Sequence, residues 1–225
     1  QSQRVSLFQN LYQHNKTRNP KVKGSLQFVN NVVYNWGSDA FIEGDSAGRS
    51  DVNVVNNYFV KGPSTGSGGP FSRGNQNFHI YAEGNYHDAN RNGVLDGAPT
   101  TTADLGDVVV QRAPYPYPTI ATESAPAAHQ AVVRDAGASL RRDQVDQRLI
   151  SELVKQTGAI ISDPAAVGGF GTLPGGSAPA DRDGDGMPDN WERANGLDAG
   201  NAADGDDYAA DGYPNVERYL NSLAR

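Results

Sequence analysis

The densest chemistry in the sequence is the run Asp181-Arg-Asp183-Gly-Asp185-Gly186-Met187-Pro-Asp189-Asn-Trp-Glu192. It satisfies D-x-D-x-D-G-x5-E, with side-chain oxygens from Asp181, Asp183, Asp185, Asp189 and Glu192 and a backbone carbonyl expected from Met187. Gly186 falls where the loop turns sharply. Carboxylates this crowded repel one another without a cation, and hard oxygen donors in this number suit Ca2+. The bland alternative is a solvated acidic tail. Part of the pattern recurs, because Asp185-Gly-Met-Pro-Asp189 is echoed by Asp211-Gly-Tyr-Pro-Asn215, followed by Glu217. The acids upstream of it, Asp204, Asp206 and Asp207, do not keep loop spacing with Glu217. The expectation is therefore two coupled calcium loops, the second irregular and drawing on Asp211, Asn215 and Glu217. A third stretch, Asp88-Ala-Asn90-Arg-Asn92-Gly93-Val-Leu-Asp96, has only the first half of the grammar and reads as a partial cation loop or an Asn-Gly turn.

A second constellation is cationic. Lys16, Arg18, Lys21 and Lys23 fall within Asn15–Gly24 with no acid between them. Fixed on one turn that Pro20 stiffens, such charges could clamp the carboxylates of an acidic polymer. A basic surface loop with no ligand is the competing reading. His14, His79, His87 and His129 are scattered, and no Ser/His/Asp grouping emerges.

The element that must carry the cations is a repeat. Four short apolar segments run into an asparagine followed by more apolar residues, with Asn10, Asn31, Asn57 and Asn85 aligned. Strands of this length with alternating apolar positions, recurring at intervals of this size, predict the coils of a parallel β-helix, with the asparagines stacked and hydrogen-bonded from coil to coil at the bends. Residues 61–70 are a loop by composition. Beyond Pro118 the pattern turns helical. Residues 127–136 predict a short helix, and 140–157 a longer one with Ser139 as N-cap, a Val145, Leu149, Leu153 stripe and Gly158 at its end. The domain reading is a solenoid with packing helices over residues 1–167, a Gly/Pro/Ser-rich linker over 168–180 and a calcium module over 181–225.

Composition narrows the classes. Across 225 residues the net charge is −7, which argues against a broadly basic nucleic-acid binder. Residues 181–225 carry that whole excess. There is no Cys, which removes disulfides, thiolate metal sites and Cys nucleophiles. No apolar run approaches the roughly 20 residues that span a bilayer.

The chain resembles the pectate lyases of polysaccharide lyase family 1. The matching text is Phe8–Asn15, then Arg18-Asn-Pro-Lys-Val-Lys23, Phe28–Trp36, Val54–Phe59, Ala136–Arg148 and the Asp-Gly-Met-Pro-Asp ending with its Gly-Tyr-Pro-Asn echo. That resemblance implies an all-β, right-handed parallel β-helix, secretion, and Ca2+-dependent β-elimination of polygalacturonate or a related acidic polysaccharide. It also implies that Arg18, the first cation of the R-x-P-x-x-R/K element, abstracts the C5 proton. Lys23 would hold a substrate carboxylate, without the bidentate fork of an arginine, and Lys16 and Lys21 would add to the substrate-binding field. In the family the substrate-bridging calcium ligands lie upstream of this element, where this sequence offers no acid. The chain therefore reads as the C-terminal portion of a lyase, completed by an N-terminal segment or by another copy at the open solenoid end. A rival reading is a non-catalytic calcium-binding β-solenoid that attaches to polysaccharide or protein through an EF-hand-like or dockerin-like tail.

Overall fold

The structure is a computed structural model that describes residues 4–44, 47–173 and 175–223. Pro174 of the expected linker, and Ala224 and Arg225 of the expected calcium module, lie outside the described residues. The chain divides into two compact units, Gln1–Thr172 and Leu173–Arg225.

In the first unit the strands follow one another in threes. The chain runs through β1 (Arg4–Phe8), β2 (Leu11–Gln13) and β3 (Lys21–Val22), then β4 (Ser25–Val29), β5 (Val32–Tyr34) and β6 (Phe41–Glu43). The cycle repeats with β7 (Ser50–Val55), β8 (Tyr58–Val60) and β9 (Phe71–Ser72), and continues with β10 (Phe78–Glu83) and β11 (Tyr86–Asp88). Two short strands close the series, β12 (Ala98–Pro99) and β13 (Val109–Val110). Each of β1 to β8 pairs with the strand three places on, as β10 does with β13, while β12 adds beside β11, giving sheets ordered β1-β4-β7-β10-β13, β12-β11-β8-β5-β2 and β3-β6-β9. Every pairing is parallel except β11 with β12. These mostly parallel sheets with a few flanking helices fit a parallel β-helix.

Alternation decides which side chains face inward. In the first sheet Phe28, Val52, Val54, Phe78 and Ile80 join Val33, Phe41, Phe59 and Phe71 from the other two in one buried core. Each such side chain contributes roughly 1.5–3 kcal/mol relative to exposure. The second sheet is buried on both faces, because Val32, Tyr34, Tyr58 and Val60 pack outward against Ala125, Val132 and Leu153. On the outer face of the first sheet, Gln27, Asn53 and Asn30 grip an irregular segment instead. Gln27 donates to Pro118 O, Asn53 exchanges two hydrogen bonds with Tyr115, and Asn30 exchanges two with Glu123.

The corner between the first and second sheets always takes two residues: 9–10, 30–31, 56–57 and 84–85. The first is left-handed, with φ of 52° at Gln9, 53° at Asn30, 54° at Asn56 and 65° at Gly84. Glycine is required at the last of these, since a Cβ on Gly84 would lie 1.9 Å from Asn56 Oδ1. The second residue is the repeated asparagine. Each donates both its backbone N–H and its side-chain amide to the Oδ1 of the next, at 2.9 and 2.9 Å from Asn10 to Asn31, 2.8 and 3.0 Å from Asn31 to Asn57, and 3.0 and 2.9 Å from Asn57 to Asn85.

Two helices flank this unit. Helix α1 (Ala125–Asp135) is N-capped by Ser124, and α2 (Gln144–Lys155) by Asp143, whose side chain accepts from Asp146 N. The sequence had pointed to Ser139 as the cap and to a start at residue 140. The later start has a physical cause. Arg142 donates to the carbonyls of Val133, Arg134 and Ala136, satisfying the open end of α1, and this holds residues 137–142 in a turn. The helix ends at Gln156, in the left-handed region, two residues before the expected Gly158. Among the described residues no helix is long and apolar enough to cross a membrane.

In the second unit, α3 (Asp189–Ala194) and α4 (Asn215–Leu223) flank a 3-10 turn at Ala202–Gly205. A single antiparallel bridge joins Tyr208 and Pro214.

Candidate functional site

Arg18 sits on the turn between β2 and β3, exposed, with φ at 65°. Its neighbours are pinned to the equivalent turn of the next coil. Thr17 Oγ1 donates to Asp39 Oδ2 at 3.1 Å, and the buried Asn19 donates its amide to Asp39 O at 3.1 Å and its N–H to Ala40 O at 2.9 Å. Asn15 closes the turn by donating to Asn19 Oδ1. Asp39 is therefore the anchor of the turn. Its carboxylate also accepts from Ser38, from Ser72 and from both Nε and an Nη of Arg73. Burial pushes this carboxyl up, but the hydrogen bonds from Ser38, Ser72, Thr17 and Arg73 outweigh it and hold it below the ordinary range.

The other end of the turn is braced by α2. His14 receives the Asn35 amide at Nδ1, since the Asn35 oxygen is already committed to Ser64 N, and so presents Nε2–H to Glu152 at 2.8 Å. Gln13 donates to Leu149 O. Among the described residues no carboxylate pairs with the Arg18 guanidinium. Lys16 lies exposed on the same turn, Lys21 half-buried in β3 and Lys23 exposed just beyond it. The four cations thus share one turn and the strand that leaves it.

On the inner side of that third sheet, Glu43 is in register with Val22 and fully buried, with no hydrogen-bond partner on either oxygen among the described residues. Burial alone pushes its carboxyl up to about 9, so it is neutral at pH 7. Nothing in the sequence marked it, since a single acid within an apolar strand has no motif.

The acidic loop of the second unit folds around its own carboxylates. Gly184 N and Gly186 N donate to the two oxygens of Asp181, and Met187 N to Asp185 Oδ1. Asp181, Asp183 and Asp185 present oxygens within 4.8 Å of one another, and so do Asp185, Glu192 and Asp204. Glu192 is fully buried, and among the described residues neither its two oxygens nor those of Asp183 have a partner. Burial, then the charges of Asp183, Asp185 and Asp204, push the Glu192 carboxyl up. The carboxylate oxygens buried here without a donor, both of Asp183, both of Glu192 and one each of Asp185 and Asp204, fit a cation such as Ca2+. The Met187 side chain is fully buried.

Other expected donors are placed differently. Asp189 opens α3 with its carboxylate on Arg182 and Arg193, the latter at 2.7 Å. Asp211 pairs with Arg218, and Glu217 is exposed on α4. Asn215 is buried and donates its amide to Asp204 O. Among the described residues neither carboxylate cluster includes Asp189, Asp211, Asn215 or Glu217. Sequence spacing missed Asp204, which comes from the 3-10 turn rather than from a loop position. In the Asp88–Asp96 stretch, Asn90 and Asn92 donate their amides to the two oxygens of Asp96, so it closes as an asparagine turn.

No family model matches the chain. It is similar to fungal proteins named "Probable pectate lyase C": 48% identical over 225 residues to one from Aspergillus fumigatus strain CBS 144.89, 47% to one from Neosartorya fischeri and 46% to one from Aspergillus flavus. Each comparison covers 97% of this chain and 53% of the relative. The chain is thus homologous over nearly its whole extent to proteins named probable pectate lyase C, and it spans about half their length.

Proposed function

We propose that this chain is the R-x-P-bearing portion of a secreted, calcium-dependent pectate lyase built on a right-handed parallel β-helix, acting on polygalacturonate by β-elimination. Its calcium-binding C-terminal module is a separate element. The observation that carries the reading is the Arg18 turn: a guanidinium held outward in a fixed backbone conformation, clamped through Thr17 and Asn19 to Asp39, with Lys16, Lys21 and Lys23 beside it.

The chemistry follows from the groups involved. A proton at C5 of a uronate lies alpha to a carboxylate. Arg18 takes that proton, the electron pair forms the C4–C5 double bond, and the glycosidic oxygen leaves C4 and is protonated. Lys23 and Lys21 hold substrate carboxylate. A calcium ion bound beside the substrate would supply electrostatic stabilisation of the charge that develops next to the carboxylate, and its ligands are not among the residues of the Arg18 turn. A guanidinium is a poor base in water, since it holds its proton far above neutral pH. Arg18 is exposed, so the polymer that covers it is what excludes water from the guanidinium, with Lys16, Lys21 and Lys23 on the same turn and strand.

The test is the absorbance of the unsaturated uronide product on polygalacturonate, measured on the protein carrying this chain. Arg18→Ala is expected to lower turnover by about 100-fold or more while leaving the fold intact, the scale of a lost general base. Full activity in that variant refutes the assignment.

A further inference from the structure

We infer that Asp204, outside the loop, completes the cation site of residues 181–192, so that a single calcium-sized ion ties the two halves of the C-terminal unit together. The inference deepens the calcium-module part of the proposed function and rests on it.

Asp185 belongs to both carboxylate clusters, one with Asp181 and Asp183, the other with Glu192 and Asp204. Oxygens bound to one Ca2+ at 2.3–2.6 Å lie no more than about 5 Å apart, and both clusters meet that limit around the shared residue. Glu192 is 0% exposed and Asp204 7% exposed. Both Glu192 oxygens, Asp204 Oδ1 and Asp185 Oδ2 have no partner. Buried carboxylates left this way are costly unless they coordinate an ion. The other Asp204 oxygen accepts from Asp198 N at 2.9 Å, which fixes the carboxylate. The turn that carries Asp204 also touches the loop directly, since a Cβ on the next residue, Gly205, would lie 2.8 Å from Asp185 Oδ2.

The second Asp-Gly-x-Pro-Asn copy then has a different job. Asn215 donates its side-chain amide to Asp204 O at 2.8 Å and its N–H to Asp207 O at 3.1 Å, so the repeat braces the turn that holds the ligand. Asp211 and Glu217 lie outside the site.

The experiment is a calcium titration of the full 225-residue chain by calorimetry, with Tb3+ luminescence sensitised by Trp191 as a second readout. One ion per chain is expected. Asp204→Asn keeps an oxygen for the Asp198 amide but removes a charge from the ligand set, and is expected to raise the calcium Kd by about tenfold or more. Asp211→Asn and Glu217→Gln are expected to bind as the parent does. If Asp204→Asn does not fold, Gly205→Ala replaces it, because its methyl crowds Asp185 and should weaken binding on its own. Parent-like affinity in Asp204→Asn, or in Gly205→Ala where that variant stands in, overturns the inference and leaves the loop reading standing. Two ions per chain, one of them lost in Glu217→Gln, also overturns it. A parent chain that binds no calcium refutes both readings.

Discussion

The asparagine ladder of the first unit and the acidic cluster of the second are both columns of buried polar side chains, and they meet the same physical demand in opposite ways. Asn31, Asn57 and Asn85 carry a donor and an acceptor each, so a stack of identical residues satisfies itself, with every Oδ1 taking two hydrogen bonds from the coil before. Asp183, Asp185, Glu192 and Asp204 carry acceptors alone. Stacking more of them only adds repulsion, and both oxygens of Asp183 and Glu192 and one each of Asp185 and Asp204 have no partner among the described residues. A self-complementary column needs nothing but its own repeat. A column of one sign is complete only when something of the other sign arrives.

The sharpest way to break the comparison is to interrupt the ladder. Asn57→Ala leaves Asn31 N without its acceptor and removes the further hydrogen bonds that the Asn57 side chain makes with the Asn31 amide, the Phe28 and Val55 carbonyls and Asn85 Oδ1. One buried orphan at about 1–3 kcal/mol and four further lost hydrogen bonds at about 0.5–1.5 kcal/mol each predict a loss of about 4 kcal/mol or more, read from the urea midpoint of the first unit. A loss below about 1 kcal/mol would show that the ladder is decoration. Chelation comes next. If the second unit holds calcium at about a hundredfold excess over its Kd, removing it costs about 2.7 kcal/mol. Amide exchange should quicken across residues 181–205 and stay slow at Asn31 and Asn57; equal quickening in both would erase the distinction.

The most gradual effect, spread over several pH units, concerns Glu43, a lone buried acid in the first unit with both oxygens unpartnered among the described residues. Unfolded, it releases its proton near 4.5; folded, it keeps it to about 9. Its raised pKa therefore leaves stability undiminished below pH 4.5 and erodes it as pH climbs toward 9, by at most about 1.4 kcal/mol per unit. Denaturation midpoints from pH 5 to 8 with calcium present should slope downward, and Glu43→Gln should flatten the slope. A slope unchanged by that substitution would assign the titration to another group.

The repeat was legible because the ladder forces one residue type to recur at one corner, and Asn10, Asn31, Asn57 and Asn85 stand where spacing put them. The third sheet was not, since strands as short as Lys21–Val22 and Phe71–Ser72 leave no alternation to read. The start of α2 was misplaced because its cap competes with Arg142, whose contacts to the end of α1 are tertiary. At the Arg18 turn the cations were visible, but the anchor Asp39 was not, because its role depends on coil stacking across sequence distance. In the acidic loop the twelve-residue grammar found Asp181, Asp183, Asp185 and Glu192. It also enlisted Asp189, whose carboxylate the structure places on two arginines.

The invariant two-residue corner has an evolutionary and engineering consequence. Successive asparagines are 21, 26 and 28 residues apart, yet the stacking geometry is unchanged. Most of the variation in length is absorbed at the other bends, such as residues 14–20 and 61–70, and the rest by strands one residue longer or shorter. Lengthening a flexible loop costs only about 0.6 kcal/mol per doubling. The scaffold thus works as a gauge block, tolerant of new segments spliced in on the side where Arg18 stands and intolerant of one extra residue at the corner. Recognition surfaces could be rebuilt there coil by coil without retuning the core beneath them.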